Sequence, residues 1–191
     1  MVDVHAWTQS KSREMSSLRD EIASLDFARI ISLGALIVEA LKNGQSLAFL
    51  GNGGSAAESM HLTTEFISKC VINHHPLKAI CLNESQSSIT AIGNDYGFEF
   101  IFERMVRGHL RNGDILIALS TSGTSKNVVN AINAAVEIGV RVILWTGRKK
   151  SDFGGVEVWN CEVELTPRVQ EMHLLWGHLL AEFVELHFAD N

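Results

Sequence analysis

Two short loops rich in glycine, serine and threonine combine residue types that could bind a phosphate group. The first is GNGGS at residues 51–55 and the second is STSGTS at residues 120–125. Each follows an apolar run and precedes a helical pattern, so each lies where backbone N–H groups are unpaired and the helix dipole is positive. A capped strand-to-helix turn would give a similar pattern. Three glycines in four positions exceed what a turn needs, and they favour a ligand-binding loop.

Neither loop has the spacing of a nucleotide-binding motif. The Gly-x-x-x-x-Gly-Lys-Ser/Thr pattern of nucleoside triphosphate loops is absent from residues 120–125, and residues 51–55 lack the Gly-x-Gly-x-x-Gly spacing typical of dinucleotide sites. The second loop is therefore not a nucleoside triphosphate loop, and a dinucleotide site is a weaker interpretation of the first.

Two predicted helices carry side chains that could bind a metal ion or transfer protons. His61 and Glu65 are four residues apart and share one helix face, although an isolated pair of this kind is more often a surface ion pair. Gln170 and His178 are eight residues apart on the last helix, so their Cα atoms are separated by ~12 Å along its axis. Both could reach one ion only if the helix were distorted or a second subunit contributed, and we expect a site at a subunit interface. His173 and His178 could also be ordinary polar residues of an amphipathic helix.

Apolar patterning predicts the elements that position these residues. The pattern predicts strands at residues 46–50, 78–82, 115–119, 141–145 and 156–165, with the last at an edge. It predicts helices at residues 13–42, from the first loop to about residue 70, at 85–92, at 98–110, after residue 125 and at 167–188. It also predicts a frayed end at residues 1–12, a turn at 93–97 and a loop at 148–155. This alternation is typical of an α/β fold with a mainly parallel sheet, in which ligands bind beyond the carboxyl ends of the strands.

Composition narrows the class of protein. The chain has 191 residues, 46% of them hydrophobic, and a formal net charge of −6. We expect no nucleic-acid partner, because no basic stripe offsets the acidic total, and no membrane span. Three cysteines without a Cys-x-x-Cys motif predict reduced thiols and a cytoplasmic location. The helical segment 13–43 carries no evident chemistry and is a natural packing surface for a second copy.

Five motifs occur in a fixed order, and together they resemble one family. They are GNGGS at 51–55, Met60-His61 with Glu65, GNDYGF at 93–98, STSGTS at 120–125, and QEMH at 170–173 with His178. From about residue 15 to 188 the chain is similar to the sugar isomerase (SIS) domain and, within it, to the phosphoheptose isomerases. The resemblance implies one SIS domain over residues 1–191, a three-layer sandwich with a five-stranded mainly parallel sheet flanked by helices. It also implies that the N-terminal helical arm, residues 13–43, serves oligomerisation.

The resemblance further implies ligands and residue roles. It implies a homotetramer with active sites between subunits and one Zn²⁺ per site, bound by His61, Glu65, Gln170 and His178. It assigns the phosphate to Ser120, Thr121, Ser122 and Ser125, and the sugar to Asn52, Gly53, Gly54, Ser55, Asn94 and Asp95, with Glu65 and Gln170 also contacting substrate. The implied reaction interconverts sedoheptulose 7-phosphate and D-glycero-D-manno-heptose 7-phosphate through an enediol, for nucleotide-activated heptose of lipopolysaccharide or capsule. Glu65 and His178 are the catalytic acid and base, in an order that the sequence leaves open.

Two other functions fit parts of the same pattern. One relative of the family is a non-catalytic adaptor that binds the replication initiator protein and shares both loops. His178 favours the enzyme over this adaptor, because an adaptor has no need of a base there. A sugar-phosphate sensor is the third alternative, but such sensors usually carry a DNA-binding arm, and no such arm is evident.

Overall fold

A five-stranded, fully parallel sheet lies at the centre of the molecule, with helices on both faces. The structure, a computed structural model, describes residues 2–148 and 153–189. The strands are β1 (Leu47–Gly51), β2 (Ala79–Cys81), β3 (Ile115–Leu119), β4 (Arg141–Thr146) and β5 (Glu157–Asn160). The helices are α1 (Val4–Ala23), α2 (Phe27–Lys42), α3 (Gly54–Ile67), α4 (Gln86–Asp95), α5 (Ile101–His109), α6 (Lys126–Glu137) and α7 (Thr166–Glu185), with a short 3-10 turn at Phe98–Phe100.

The strand order creates a cleft at one edge of the sheet. The strands lie in the order β2-β1-β3-β4-β5, so the chain leaves β1 towards one side and β3 towards the other. β1 and β3 run side by side in register, with Gly51 opposite Leu119. In open α/β sheets, this reversal point opens a crevice beyond the carboxyl ends of the strands, where ligands bind. The two loops rich in glycine, serine and threonine follow β1 and β3 directly, so they flank this crevice.

Alternation along the strands divides the interior into two cores. Phe49, Ile117 and Trp145 face a core shared with α2, α3 and α7. Leu50, Leu116 and Leu144 face the opposite core, which is shared with α5 and α6. Strands buried on both faces need apolar side chains at nearly every position, which explains the continuous apolar runs in the sequence. The resulting helix–sheet–helix sandwich confirms the predicted α/β, SIS-type fold.

Several predicted boundaries need correction. Residues 1–12 were expected to fray, but α1 begins at Val4, where the Asp3 carboxylate accepts a hydrogen bond from the Ala6 N–H at 3.0 Å. Apolar periodicity missed the first turns of α1 because residues 4–10 are all exposed, and the Asp3 cap and local hydrogen bonds stabilise these turns instead. The predicted turn at 93–97 is also partly helical, since α4 continues to Asp95. The fifth strand is shorter than predicted, and residues 149–152 of the predicted loop lie outside the described residues.

Candidate active site

The two loops are joined across the crevice by a pair of amide side chains. Asn52 Nδ2 donates to Asn127 Oδ1 at 2.8 Å, and Asn127 Nδ2 donates back to Asn52 Oδ1 at 2.9 Å. Asn127 is buried in the first turn of α6, directly after the second loop. This reciprocal pair holds the glycine loop and the serine/threonine loop at a set separation. Much of the hydrogen-bonding capacity of Asn52, predicted to contact sugar, is therefore engaged in joining the loops.

The second loop presents hydroxyl groups with different local partners. Ser122 Oγ accepts hydrogen bonds from the Thr124 backbone and side chain. Ser125 caps α6 through its backbone, and its side chain makes no capping bond. Ser120 Oγ is buried and has no hydrogen-bond partner among the described residues. Hydroxyls left without protein partners beside a helix N-terminus are suited to an anionic oxygen.

Close packing between α3 and α7 brings the remaining predicted residues together. A Cβ atom on Gly177 of α7 would lie 2.2 Å from Leu62 Cδ2 of α3, so only glycine allows this approach. At the start of α3, a Cβ on Gly54 would lie 2.3 Å from Gln170 Nε2. Gln170 therefore lies against the glycine loop, two turns of α7 before His178. Gly54 therefore makes room for a protein side chain.

His61, Glu65 and His178 converge within a single chain. One ligand atom from each of the three lies within 4.8 Å of the others. His61 Nε2 is 2.9 Å from His178 Nε2 and 3.4 Å from Glu65 Oε1. The two imidazole rings meet edge to face, with centroids 5.1 Å apart. No second chain is needed to assemble these three residues, although the separation of Gln170 and His178 had led us to expect an interface site.

This group fits a divalent metal ion. Two imidazole nitrogens and a carboxylate oxygen are typical zinc ligands, and a tetrahedral ion with ~2.1 Å bonds would hold them ~3.4 Å apart. The observed separations around His61 Nε2, 2.9 and 3.4 Å, are close to that spacing. Gln170 stays a predicted fourth ligand, and its amide lies against Gly54 at the glycine loop. The donor set does not distinguish zinc from other divalent ions.

Glu58 is a buried carboxyl group on the same flank of α3. It precedes His61 by three residues and Glu65 by seven, which places it on the side of the helix that carries both. The residue is 6% exposed, and neither carboxyl oxygen has a good hydrogen bond among the described residues. Desolvation raises the pKa of the Glu58 carboxyl to about 7, while a weak interaction with the Ser55 hydroxyl acts in the opposite direction. At neutral pH this carboxyl is therefore partly protonated.

Two further predicted residues, Asn94 and Asp95, make no hydrogen bond to this cluster within the described part of the chain. Asn94 and Asp95 are exposed at the end of α4, where Asn94 Nδ2 donates to Asp95 Oδ1 at 2.7 Å. Their contact with substrate stays a prediction. Sequence reasoning missed Asn127, although an asparagine two residues after a predicted phosphate loop is a usable signal. Arg148, two residues after the end of β4, was not singled out from the sequence either.

Comparison with known proteins tests the predicted family and fold. A family model described as SIS domain matches residues 12–147. A phosphoheptose isomerase of Nitratidesulfovibrio vulgaris is 39% identical over 93% of this chain and 86% of its own length. The chain belongs to the phosphoheptose isomerase family of SIS domains. These relatives support the predicted class of enzyme, an isomerase, and give no support to the adaptor alternative.

Solved structures extend the match to the whole fold. The phosphoheptose isomerase of Neisseria gonorrhoeae superimposes with a TM-score of 0.84 at 30% identity, covering 95% of this chain and 98% of that one. The phosphoheptose isomerase of Francisella tularensis gives a TM-score of 0.86 at 26% identity, covering 97% and 100% of the two chains. In the described part of the chain, we find no helix with the length and apolar character to cross a bilayer.

Proposed function

We propose that this protein interconverts sedoheptulose 7-phosphate and D-glycero-D-manno-heptose 7-phosphate, a ketose–aldose isomerisation in nucleotide-activated heptose biosynthesis. The family supports the reaction type. The observation that carries the proposal is the convergence of His61, Glu65 and His178 in one chain. Gln170, on the same helix as His178, connects that cluster to the glycine loop through Gly54. One substrate could therefore contact the serine/threonine loop with its phosphate and the cluster of His61, Glu65 and His178 with its carbonyl end.

The phosphate anchors the substrate in this mechanism. Ser120, Thr121, Ser122 and Ser125 offer hydroxyl and backbone donors at the N-terminus of α6. Asn52, Gly53, Gly54 and Ser55 line the sugar from the other side of the crevice, with Asn94 and Asp95 completing it. Binding energy from the non-reacting phosphate orients C1 and C2 for proton transfer, which lowers the entropic part of the barrier.

Glu65 and His178 supply the two proton-transfer groups. One removes a proton from C1 of the ketose, and the electron pair moves onto the C2 carbonyl oxygen, which gives an enediolate. The other returns a proton at C2 while the hydroxyl proton passes from O1 to O2, which leaves the aldehyde at C1. Both side chains contact His61, so the imidazole nitrogen and the carboxylate oxygen that would transfer protons lie close together. Either order of acid and base is compatible with this geometry.

His61, Glu65 and His178, with Gln170 as a fourth ligand, would hold one Zn²⁺ per site. When bound, the ion would act as a Lewis acid that polarises the carbonyl and hydroxyl oxygens of the sugar. Coordination lowers the basicity of a carboxylate, so Glu65 would be the weaker base while it serves as a ligand.

The assembly we propose is a homotetramer in the cytoplasm, with active sites at the subunit interfaces. Large apolar side chains stay exposed along α1 and α2, including Trp7, Met15, Ile22, Phe27 and Ile31. Such a row favours self-association. Cys70, Cys81 and Cys161 are all free within the described residues, which suits a reducing compartment. Light scattering of the purified protein measures the assembly directly.

The decisive experiment incubates the purified protein with sedoheptulose 7-phosphate and follows the aldose product by NMR. His178→Ala should lower the rate by ~10²-fold or more, because a positioned acid or base contributes that much. His109→Ala is the matched control, since His109 is exposed at the end of α5 and should leave the rate unchanged. A wild-type protein without product formation would overturn the function. A near wild-type rate in His178→Ala would overturn only the catalytic role of His178.

A further inference from the structure

A cavity of about 400 Å³ lies beside the serine/threonine loop and contains an arginine. Its lining includes Thr121, Ser122, Gly147, Arg148 and Glu164. Gly147 and Arg148 follow the carboxyl end of β4, the strand next to β3. The Gly147 N–H donates to the Thr121 carbonyl at 3.1 Å, which ties the arginine segment to the loop backbone. Arg148 is therefore held next to two residues predicted to bind phosphate.

The guanidinium of Arg148 is paired with two exposed glutamates. Its Nε lies 3.4 Å from Glu162 Oε2, and its Nη1 donates to Glu164 Oε1. More than half of each of the three side chains is exposed to solvent. Exposed ion pairs of this kind contribute little stability, because water solvates both charges well. Exchange of the glutamates for another anion therefore costs Arg148 little free energy.

The charges around the cavity favour an exchange in which Arg148 leaves the glutamates and pairs with a phosphate. A sugar phosphate carries a charge close to −2 at neutral pH, while the loop offers only neutral hydroxyls and backbone N–H groups. Glu164 lines the same cavity and adds a negative charge beside the place that the phosphate would take. Without Arg148, no cation among the residues that line this cavity would offset the Glu164 carboxylate. A planar guanidinium suits phosphate well, because it donates two parallel hydrogen bonds with full charge.

We propose that Arg148 is a substrate-binding residue that leaves Glu162 and Glu164 and pairs with the phosphate of the incoming sugar phosphate. This inference rests on the proposed function. It adds a residue that determines specificity from the end of β4, beside the two loops that follow β1 and β3. Arg148 selects the phosphorylated sugar and sets its affinity, while the proton transfers take place at the other end of the substrate. Its removal should therefore act on KM rather than on kcat.

The test compares four variants in the isomerase assay. Arg148→Gln should raise KM for sedoheptulose 7-phosphate by ~10- to 100-fold, as expected for a charged hydrogen bond, with kcat changed by less than about threefold. Arg148→Lys keeps the charge without the planar fork and should recover part of the affinity. Glu164→Gln should lower KM, because it removes a repelling charge. Arg107→Gln is the matched control, since Arg107 is also exposed and paired with two glutamates, Glu103 and Glu137.

A structural role would give a different result. If Arg148 served only its ion pairs with Glu162 and Glu164, then Arg148→Gln and Arg107→Gln would behave alike, and KM would stay within about twofold of wild type. That outcome would overturn the proposal. An increase of KM in Glu164→Gln equal to that in Arg148→Gln would also overturn it, because the carboxylate would then be aiding substrate binding.

Binding of inorganic phosphate separates this proposal from the proposed function. Calorimetry with the wild-type protein and Arg148→Gln should show weaker phosphate binding in the variant by the same factor as the KM increase. If the protein binds phosphate through Arg148 but does not isomerise the heptose phosphate, then the proposed function is refuted and the phosphate-binding role of Arg148 is supported. If it isomerises the sugar while phosphate affinity is equal in both proteins, then the arginine site fails alone. Absence of both isomerisation and phosphate binding would refute both.

Discussion

Replacement of Glu58 by glutamine should stabilise the protein above neutral pH. In the folded chain the carboxyl is 6% exposed, and desolvation raises its pKa from 4.5 to about 7. Below pH 4.5 both the folded and the unfolded states hold the proton, so burial of the group costs little. As the pH rises from 4.5 to about 7, the unfolded chain releases this proton first, and the free energy of unfolding falls. Above pH 7 both states are ionised, and the loss stays constant.

The structure sets the size of this effect. A pKa difference of about 2.5, from 4.5 to about 7, would be worth ~3 kcal/mol at ~1.36 kcal/mol per unit. Local relaxation and water entry reduce such penalties, so we expect ~1–3 kcal/mol at pH 8. Glutamine has nearly the same shape and cannot ionise. The Glu58→Gln variant should therefore lack this pH-dependent loss.

Urea unfolding at pH 5, 6, 7 and 8 measures the prediction. A chelator must be present throughout, because a cation bound near His61 and Glu65 would favour the charged form of Glu58. The stability of Glu58→Gln minus that of wild type should rise steadily with pH and level off above pH 7. Glu84→Gln, at an exposed position, is the control and should show no such rise. A difference that stays flat with pH would refute the argument that burial suppresses ionisation of Glu58.

Three further predictions concern the packing and chemistry of the site. Gly177→Ala places a Cβ 2.2 Å from Leu62 Cδ2, so it should destabilise the fold by ~1–3 kcal/mol, and an unchanged thermal midpoint would contradict that packing. Gly54→Ala places a Cβ 2.3 Å from Gln170 Nε2 and so displaces the Gln170 amide. This variant should lower kcat/KM by ~10-fold or more while the circular dichroism spectrum stays unchanged. Full activity in that variant would remove Gln170 from the site. Chelation should abolish isomerisation and added zinc should restore it, whereas normal turnover by the metal-free enzyme would disprove the metal site.

Local patterns in the sequence were sufficient to predict the fold. Residues 115–119 form a strand at the predicted bounds, because an uninterrupted apolar run is stable only where both faces of a strand are buried. The N-terminal boundary was wrong for the opposite reason. Residues 4–10 of α1 are all exposed, so the first turns of this helix leave no apolar period to detect. Burial patterns predict elements that pack, and they miss elements held by capping and backbone hydrogen bonds.

The sequence by itself determined the kinds of groups in the site and the strand ends that carry them. Glycine and hydroxyl residues after β1 and β3, and a histidine–glutamate pair at helical spacing, follow from residue types and periodicity, which are local properties. Only the tertiary structure decided that His178 meets His61 in the same chain, that Asn52 pairs with Asn127, and that Arg148 borders the phosphate loop. These residues are 117, 75 and about 26 positions from their partners, and no local pattern encodes such distances. They depend on how closely α3 and α7 pack and on which strands lie side by side.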